Sequence, residues 1–366
     1  MARINGTDLG NTIDGSPDGD LIQGFLGNDE INGREGDDII IGGPEDPVAG
    51  FSDDDRLIGD ARPGDFSKDS ISGGYGNDEI YGDSFQDTGD LIGGNDSLFG
   101  GRGNDTIFGE GGDDFIEGED GNDSLSGDSG NDTIFGGNGN DAIGGGIGFD
   151  TALYDNSFTT YDASFVKNGA VQITGGEGKD LLTGIERINF ADGFFNVHTG
   201  DGANNTLTAD PNVFSLLYGG GGNDTLTGGK FNDFLEGGAG NDRLTGGTGN
   251  DKFKFGNSNG SPFGSANTDT ITDFIVGTDK IVLGRASFSA LQSAVGGNLL
   301  SSEFAIVTSD SAAATKGAKV VYNSANGHLF YNQNGSSSGF GTGGQFATLT
   351  GSPDNLSRTS FLIASA

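Results

Sequence analysis

Aspartate recurs every nine residues along one stretch of the chain, at Asp78, Asp87, Asp96, Asp105, Asp114, Asp123, Asp132, Asp141 and Asp150. Two positions after the acid stands an aliphatic residue: Ile80, Leu98, Ile107, Ile116, Leu125, Ile134 and Ile143, with Gly89 and Ala152 as the weak members. A second run, GGGGNDTLT, GGKFNDFLE, GGAGNDRLT and GGTGNDKFK, places Asp224, Asp233, Asp242 and Asp251 in the same frame. A worn run near the start has Asn11, Asp20, Asp29 and Asp38, with Ile13, Ile22, Ile31 and Ile40 behind them. Insertions break the frame between 42 and 72, where Asp55/Leu57 and Asp69/Ile71 survive, and GDGANNTLT (200–208) is a lone unit with Asn205 at the acid position. Carboxylates held in register are oxygen ligands for a hard cation. Calcium takes 6–8 oxygens, backbone carbonyls included, whereas magnesium demands a stricter octahedron. Zinc would want His or Cys; the chain has no Cys, and His198 and His328 lie outside the runs.

Elements of one kind can position such acids. With the acid numbered 6 and the aliphatic residue 8, glycines at 1, 2 and 4 admit positive φ and let the chain reverse tightly. Three residues of strand follow, and the side chain at 8 points opposite to those at 7 and 9. Each nonapeptide reverses the chain once, so two make a coil of 18 residues and the coils stack as two parallel sheets around the aliphatic column. Stacked strands lie about 4.8 Å apart. This register predicts Asp96 above Asp78 and Asp105 above Asp87. It also predicts Tyr81, Phe99, Phe115 and Phe135 as an aromatic row on one outer face, with Phe108 on the other, and that row as a contact surface. Carboxylates at this spacing repel unless a cation lies between them, so metal binding and folding are expected to be one event.

The unit is GGxGxDxUx, and the runs resemble the nonapeptides of RTX (repeats-in-toxin, hemolysin-type) proteins. The resemblance implies an all-β fold, a calcium-binding parallel β-roll, with the first six residues as the metal turn and the last three as strand. It implies several Ca2+ ions held by Asp20, Asp29, Asp38, Asp69 and the acids of both regular runs. Backbone carbonyls of turn residues such as Gly76, Gly103, Gly112, Gly121, Gly130, Gly139, Gly222, Gly240 and Gly249 would complete the cages. The expected organisation is a degenerate array with insertions (1–72), a main roll (73–153), a β-rich spacer (154–199), a second roll (200–254) and a β-rich C-terminal region (255–366).

Within the spacer, YDASFV and AVQI alternate as strands do, and GKDLLTGIERINFADG is similar to a segment that often flanks roll arrays in secreted bacterial proteins. DTITDF and GTDKIVL (269–283) resemble the strand pair that closes the roll in serralysin-type C-terminal domains. ALQSAVGG (290–297) reads as a short helix and AKVVYNSANGHLFYNQNG as a hairpin turning at Asn326-Gly327. The tail SPDNLSRTSFLIASA resembles the uncleaved signal of type I secretion substrates, with Ser360 where an acid is common; an ordinary last strand is the alternative.

Composition narrows the function. Of 366 residues 72 are Gly, and 54 acids stand against 18 bases, a net charge of −36. That surface excludes nucleic acid, which needs Lys and Arg, and leaves cations as natural partners. The 27 Phe and the regular aliphatic residues argue against disorder. No apolar run reaches membrane-spanning length, and MARINGTDLGNTI lacks the apolar core of a secretory signal. There is no HExxH, so the serralysin likeness brings no protease. The GxSxG matches at 256–260 and 335–339 lie in Gly/Ser loops without a nucleophile-elbow context, and GDSF at 82 is the start of a weak unit. The expectation is a non-enzymatic, secreted calcium-binding protein with a structural or adhesive role at the cell surface. The alternatives are an accessory or secretion module for a separate enzyme, and a calcium buffer.

Overall fold

In the computed structural model the described residues are 2–43, 54–60, 67–83, 93–166, 169–256, 263 and 267–364. They form two compact units, Met1–Ser164 with Ala170–Phe194, and Phe165–Gly169 with Phe195–Ala366. The architecture is nearly all strand, and parallel sheets dominate.

The first unit is a roll. Strands Arg3–Asn5, Leu21–Gln23, Ile39–Ile41, Ser70–Tyr75, Ser97–Arg102, Phe115–Asp120, Thr133–Phe135, Thr151–Leu153 and Arg187–Phe190 stack as one sheet. Strands Thr12–Asp14, Glu30–Arg34, Arg56–Asp60, Glu79–Tyr81, Thr106–Phe108, Ser124–Ser129, Ala142–Ile147 and Lys179–Thr183 stack as the other. The position-8 residues meet in register, Ile71, Leu98, Ile116, Ile134, Ala152 and Ile188 in one sheet, Ile80, Ile107, Leu125, Ile143 and Leu182 in the other. All are buried, and each Ile or Leu contributes about 1.5–3 kcal/mol of transfer free energy.

Two register expectations are overturned. Ser70–Tyr75 pairs with Ser97–Arg102, and Glu79–Tyr81 with Thr106–Phe108. Asp96 therefore follows Asp69, and Asp105 follows Asp78, not Asp87. The turn that opens at Gly82 closes at Asp96, whose Oδ2 lies against the Gly82 α-carbon just as that of Asp105 does at Gly100. The extra residues between Gly82 and Asp96 are an insertion inside one turn. Asp87 lies outside the described residues. The same shift moves Tyr81 to the sheet of Phe108, on which it stacks with ring centroids 5.2 Å apart. Phe99 and Phe115 remain together on the opposite sheet, 5.9 Å apart.

The second unit repeats the plan. One sheet runs through Phe214–Gly221, Phe234–Ala239, Lys252–Phe255, Lys280–Gly284 and Phe361–Ala364, all parallel. The other runs through Thr206–Thr208, Thr225–Thr227, Arg243–Thr245, Asp269–Ile271 and Gly344–Leu349, also parallel. It continues through the antiparallel hairpin Val320–Asn323 with His328–Tyr331, which turns through Gly327 at φ 78°, and ends at Phe304–Val307, parallel to Val320–Asn323. The DTITDF and GTDKIVL strands thus extend the roll by a rung, and the tail adds a further one. Residues 290–297 form turns and bends around the buried Leu291, not the expected helix, because the Gln292 N–H donates to the Glu303 carboxylate and the Gly296 N–H to the Ile363 carbonyl rather than to carbonyls four residues back. The α-helix stands at Asp310–Ala313 instead.

The glycine at position 4 is fixed by close approach. Gly103 has φ 148°, and a Cβ there would collide with the Gly76 carbonyl of the rung before it. Gly103→Ala should cost about 3 kcal/mol or more from strain and overpacking, read as a fall in the thermal midpoint of the calcium-loaded protein. Gly202, with open space around it, should accept Ala within about 0.5 kcal/mol.

Candidate metal centre

The acids form columns at the turn edges. In the first unit one column runs Asp20, Asp38, Asp69, Asp96, Asp114, Asp132 and Asp150, each backbone N–H donating to Oδ1 of the next. The other runs Asn11, Asp29, Asp55, Asp78, Asp105, Asp123, Asp141 and Asp180 in the same way. In the second unit Asn205, Asp224, Asp242 and Asp269 form one column, and Ser215, Asp233, Asp251 and Asp279 the other. The described aspartates of both regular repeat runs are at most 3% exposed.

One carboxylate oxygen is thus used by the fold, and along a run of inner turns the second is left over. Oδ2 of Asp96, Asp105, Asp114, Asp123, Asp132, Asp141, Asp150, Asp224 and Asp242 is buried with no hydrogen-bond partner. A buried ionised carboxylate without a counter-charge is costly, and about 5 Å between neighbours adds repulsion of about 3 kcal/mol at an effective dielectric of about 20. The leftover oxygens share a hollow with backbone carbonyls. A Cβ placed on Gly118 would lie 2.5 Å from Asp123 Oδ2 and 2.6 Å from the Gly136 carbonyl oxygen. On Gly100 it would lie 2.5 Å from Asp105 Oδ2 and 2.8 Å from the Gly118 carbonyl oxygen. Carboxylate and carbonyl oxygens converging at 2.3–2.6 Å are what calcium takes. Among the described residues no three His, Cys, Asp or Glu side chains cluster as a side-chain cage; the donor set is half backbone.

The position-4 glycines stack as their own columns, Gly103 on Gly76, Gly121 on Gly103, Gly139 on Gly121, Gly112 on Gly94, Gly130 on Gly112, Gly240 on Gly222 and Gly249 on Phe231. Their carbonyl oxygens lie against the next α-carbon in the stack. The hollow beside Oδ2 of Asp96, Asp105, Asp114, Asp123, Asp132, Asp150 and Asp224 is lined by the carbonyl of a glycine one rung on, whereas the position-4 carbonyls lie nearer Oδ1, as that of Gly103 does at Gly121 beside Asp123.

A scan against protein-family models matches residues 5–44, 64–88, 92–125, 117–152 and 218–253 to the RTX calcium-binding nonapeptide repeat (4 copies). The chain carries RTX calcium-binding nonapeptide repeats. These repeats bind Ca2+, and the sheets they build here are those of a parallel β-roll. Comparison with curated proteins returns no match. Among solved structures, the extracellular lipase LipA from Serratia marcescens aligns over 94% of this chain and 67% of its own, at 16% identity and a TM-score of 0.32.

The structure adds column members that the regular nonapeptide frame does not include. Asp55 and Asp69 close turns opened at Gly42 and Gly59 across long insertions. Asp180 belongs to GGEGKDLLT (175–183), a complete RTX unit inside the spacer whose signal was present in the sequence. Asp269 and Asp279 continue both columns of the second unit without a nonapeptide frame. Position 5 carries a further ladder: Asn77 Oδ1 accepts from Asn104 N–H at 2.8 Å, Asn104 from Asn122 at 2.8 Å and Asn122 from Asn140 at 2.9 Å. Two GxSxG serines differ in standing. The loop at 335–339 leads toward the strand Gly344–Leu349 rather than into a helix, and residues 257–260 lie outside the described set.

Protonation follows from burial. Desolvation pushes Asp105 and Asp141 up to about 6, Asp96, Asp123 and Asp132 to about 7, and Asp114 to about 9. A hydrogen bond from the preceding acid's N–H opposes the shift, and for Asp114 the neighbours Asp96 and Asp132 add to it. In the second unit burial takes Asp233 and Asp242 to about 6 and Asp251 to about 7. Asp20 is the exception: burial opposes it, but the Ser16 hydroxyl and N–H hold it below the usual value, both donating to Oδ2 at 2.8 Å.

Raised carboxyls mean that the metal-free fold binds more protons than the unfolded chain between about pH 4 and pH 9, so its stability falls as pH rises through that window. After calcium removal, β structure measured by circular dichroism should grow on acidification from pH 8 to pH 5. Calcium must displace these protons, so the calcium midpoint should move to higher concentration as pH falls. A metal-free form more structured at pH 8 than at pH 5 would contradict the burial of these acids.

Proposed function

We propose that this chain is a secreted, non-catalytic protein whose rolls fold on meeting extracellular calcium and that serves a structural or adhesive role at the cell surface. The observation that carries the reading is the second carboxylate oxygen, buried and unpartnered at successive turns beside a backbone carbonyl. The ligands are the column acids Asp29, Asp38, Asp69, Asp78, Asp96, Asp105, Asp114, Asp123, Asp132, Asp141, Asp150, Asp224, Asp242 and Asp251; Asp233 stands in the same column, but its Oδ2 accepts the Gly229 N–H. The position-1 glycine carbonyls complete each cage. Calcium supplies the positive charge that the columns require; the chain's own residues supply register, through Oδ1 and the strand pairing, and exclude water by burial.

Several features support secretion and a mechanical role. Extracellular calcium modules bind at about 10⁻⁴–10⁻³ M, so such columns stay uncompensated where calcium is scarce and fill outside the cell. No helix among the described residues is long and apolar enough to cross a membrane. The tail resembles a type I secretion signal, yet Phe361 and Ile363 are buried in the last rung, so an exporter would read it before folding. Half-buried aromatic residues on both outer faces, Phe99 with Phe115 on one and Phe108 on the other, offer contact surface; Tyr81, stacked on Phe108, is buried.

Calcium titration followed by far-UV circular dichroism, with magnesium as the control, tests the reading. The expected result is a cooperative gain of β signal near about 1 mM calcium and none with magnesium at that concentration. Full β signal in chelator at neutral pH would mean that the aliphatic column holds the roll alone, and the folding switch would fall.

A further inference from the structure

The unit GGEGKDLLT (175–183) meets the nonapeptide at every defined position, and its strand Lys179–Thr183 completes a rung of the first roll. Its turn is nonetheless built differently from the inner turns of the same column. Asp180 Oδ1 accepts the Asp141 N–H at 3.1 Å, as every column acid does, but its Oδ2 accepts the buried Tyr154 hydroxyl at 2.9 Å. The matching oxygens of Asp105, Asp123 and Asp141 have no partner. The Gly175 carbonyl accepts the Gly178 N–H at 3.3 Å, and the Gly175 N–H donates to the Gly178 carbonyl at 2.9 Å, so the turn closes on itself. At Gly118 the Cβ face looks onto two oxygens; at Gly175 it is covered by the ring of Tyr161. That ring packs on Tyr154 at 5.1 Å and on Phe190 at 5.3 Å.

The oxygens that would ligate a cation here are therefore committed to protein donors, and an aromatic ring fills the hollow. We propose that this turn closes without metal. The Tyr154 hydroxyl proton stands where the inner turns need a cation, and Tyr154, Tyr161 and Phe190 plug the end of the column. An RTX unit with full consensus would then be a stop rather than a site, with Tyr154 as its positioning residue. The inference rests on the column acids being the calcium ligands.

The test counts ions bound to the whole chain by equilibrium dialysis in saturating calcium. Asp123→Asn should lose at least one ion per chain, whereas Asp180→Asn should lose none. Loss of an ion from Asp180→Asn overturns the inference and leaves the ligand reading intact. No loss from Asp123→Asn overturns both. Should Asp180→Asn fail to fold, Tyr154→Phe decides. If the phenol holds Asp180 in the calcium-loaded protein, this variant keeps the ion count and lowers the thermal midpoint by about 3–6 °C. If calcium displaces the phenol, the midpoint stays unchanged and the inference falls.

Discussion

The structure depends on one constraint: a column acid has two carboxylate oxygens, and at the inner turns of Asp96, Asp105, Asp114, Asp123, Asp132, Asp141, Asp150, Asp224 and Asp242 the protein satisfies one. Oδ1 is bonded to the backbone of the preceding rung at 2.6–3.1 Å throughout both columns of the first unit. That bond sets the rung spacing and buries the side chain. Burial then makes the remaining oxygen expensive, because it can neither reach water nor share its charge with another carboxylate. Proton or divalent cation must pay this cost, and at neutral pH a cation between two rungs serves better. Glycine at position 1 follows from the same need, since a Cβ there would occupy the hollow.

Only the residues that close a column are constrained, which explains the tolerance for insertions. Turns opened at Gly42, Gly59 and Gly82 are closed by Asp55, Asp69 and Asp96, far beyond the five residues of a regular unit. Position 1 and position 6 still meet in space, and loop entropy grows only slowly with length. The strand after each acid resumes the register, because its position-8 residue has a vacant place in the aliphatic column and nowhere else to be buried.

That tolerance is also what limited reading from sequence. The period of nine revealed the roll, the inward residue and most of the acids, because each is a local pattern. It could not reveal which turns are spatial neighbours. Counting 82–90 as a rung puts Asp105 over Asp87 and Tyr81 beside Phe99, although position 8 of that stretch is Gly89, with no side chain to bury. Asp180 was hidden for a different reason. Its unit is complete, but it follows a strand and an aromatic stretch that read as a spacer. Asp269 and Asp279 lack the glycines of the motif and are recognisable as column members only from pairing across the sheet.

The ends of the columns show the constraint from the other side. A cation site needs a rung on each side, one giving the carboxylate and the next giving the carbonyl, so a terminal acid has only part of a cage. The first unit begins its columns with Asn11, whose neutral oxygen occupies the hollow at Gly6, and with Asp20, whose Oδ2 is taken by Ser16. The second begins with Asn205, whose oxygen accepts the Asp201 N–H at 3.0 Å, and with Ser215 in the acid's place. At the far end of the first roll Asp180 is met by Tyr154. An amide, a hydroxyl and a phenol are different solutions to one problem. Each replaces a half-formed cation site with a neutral group or a protein donor, so the charge that drives calcium binding is confined to turns that have a neighbour on both sides.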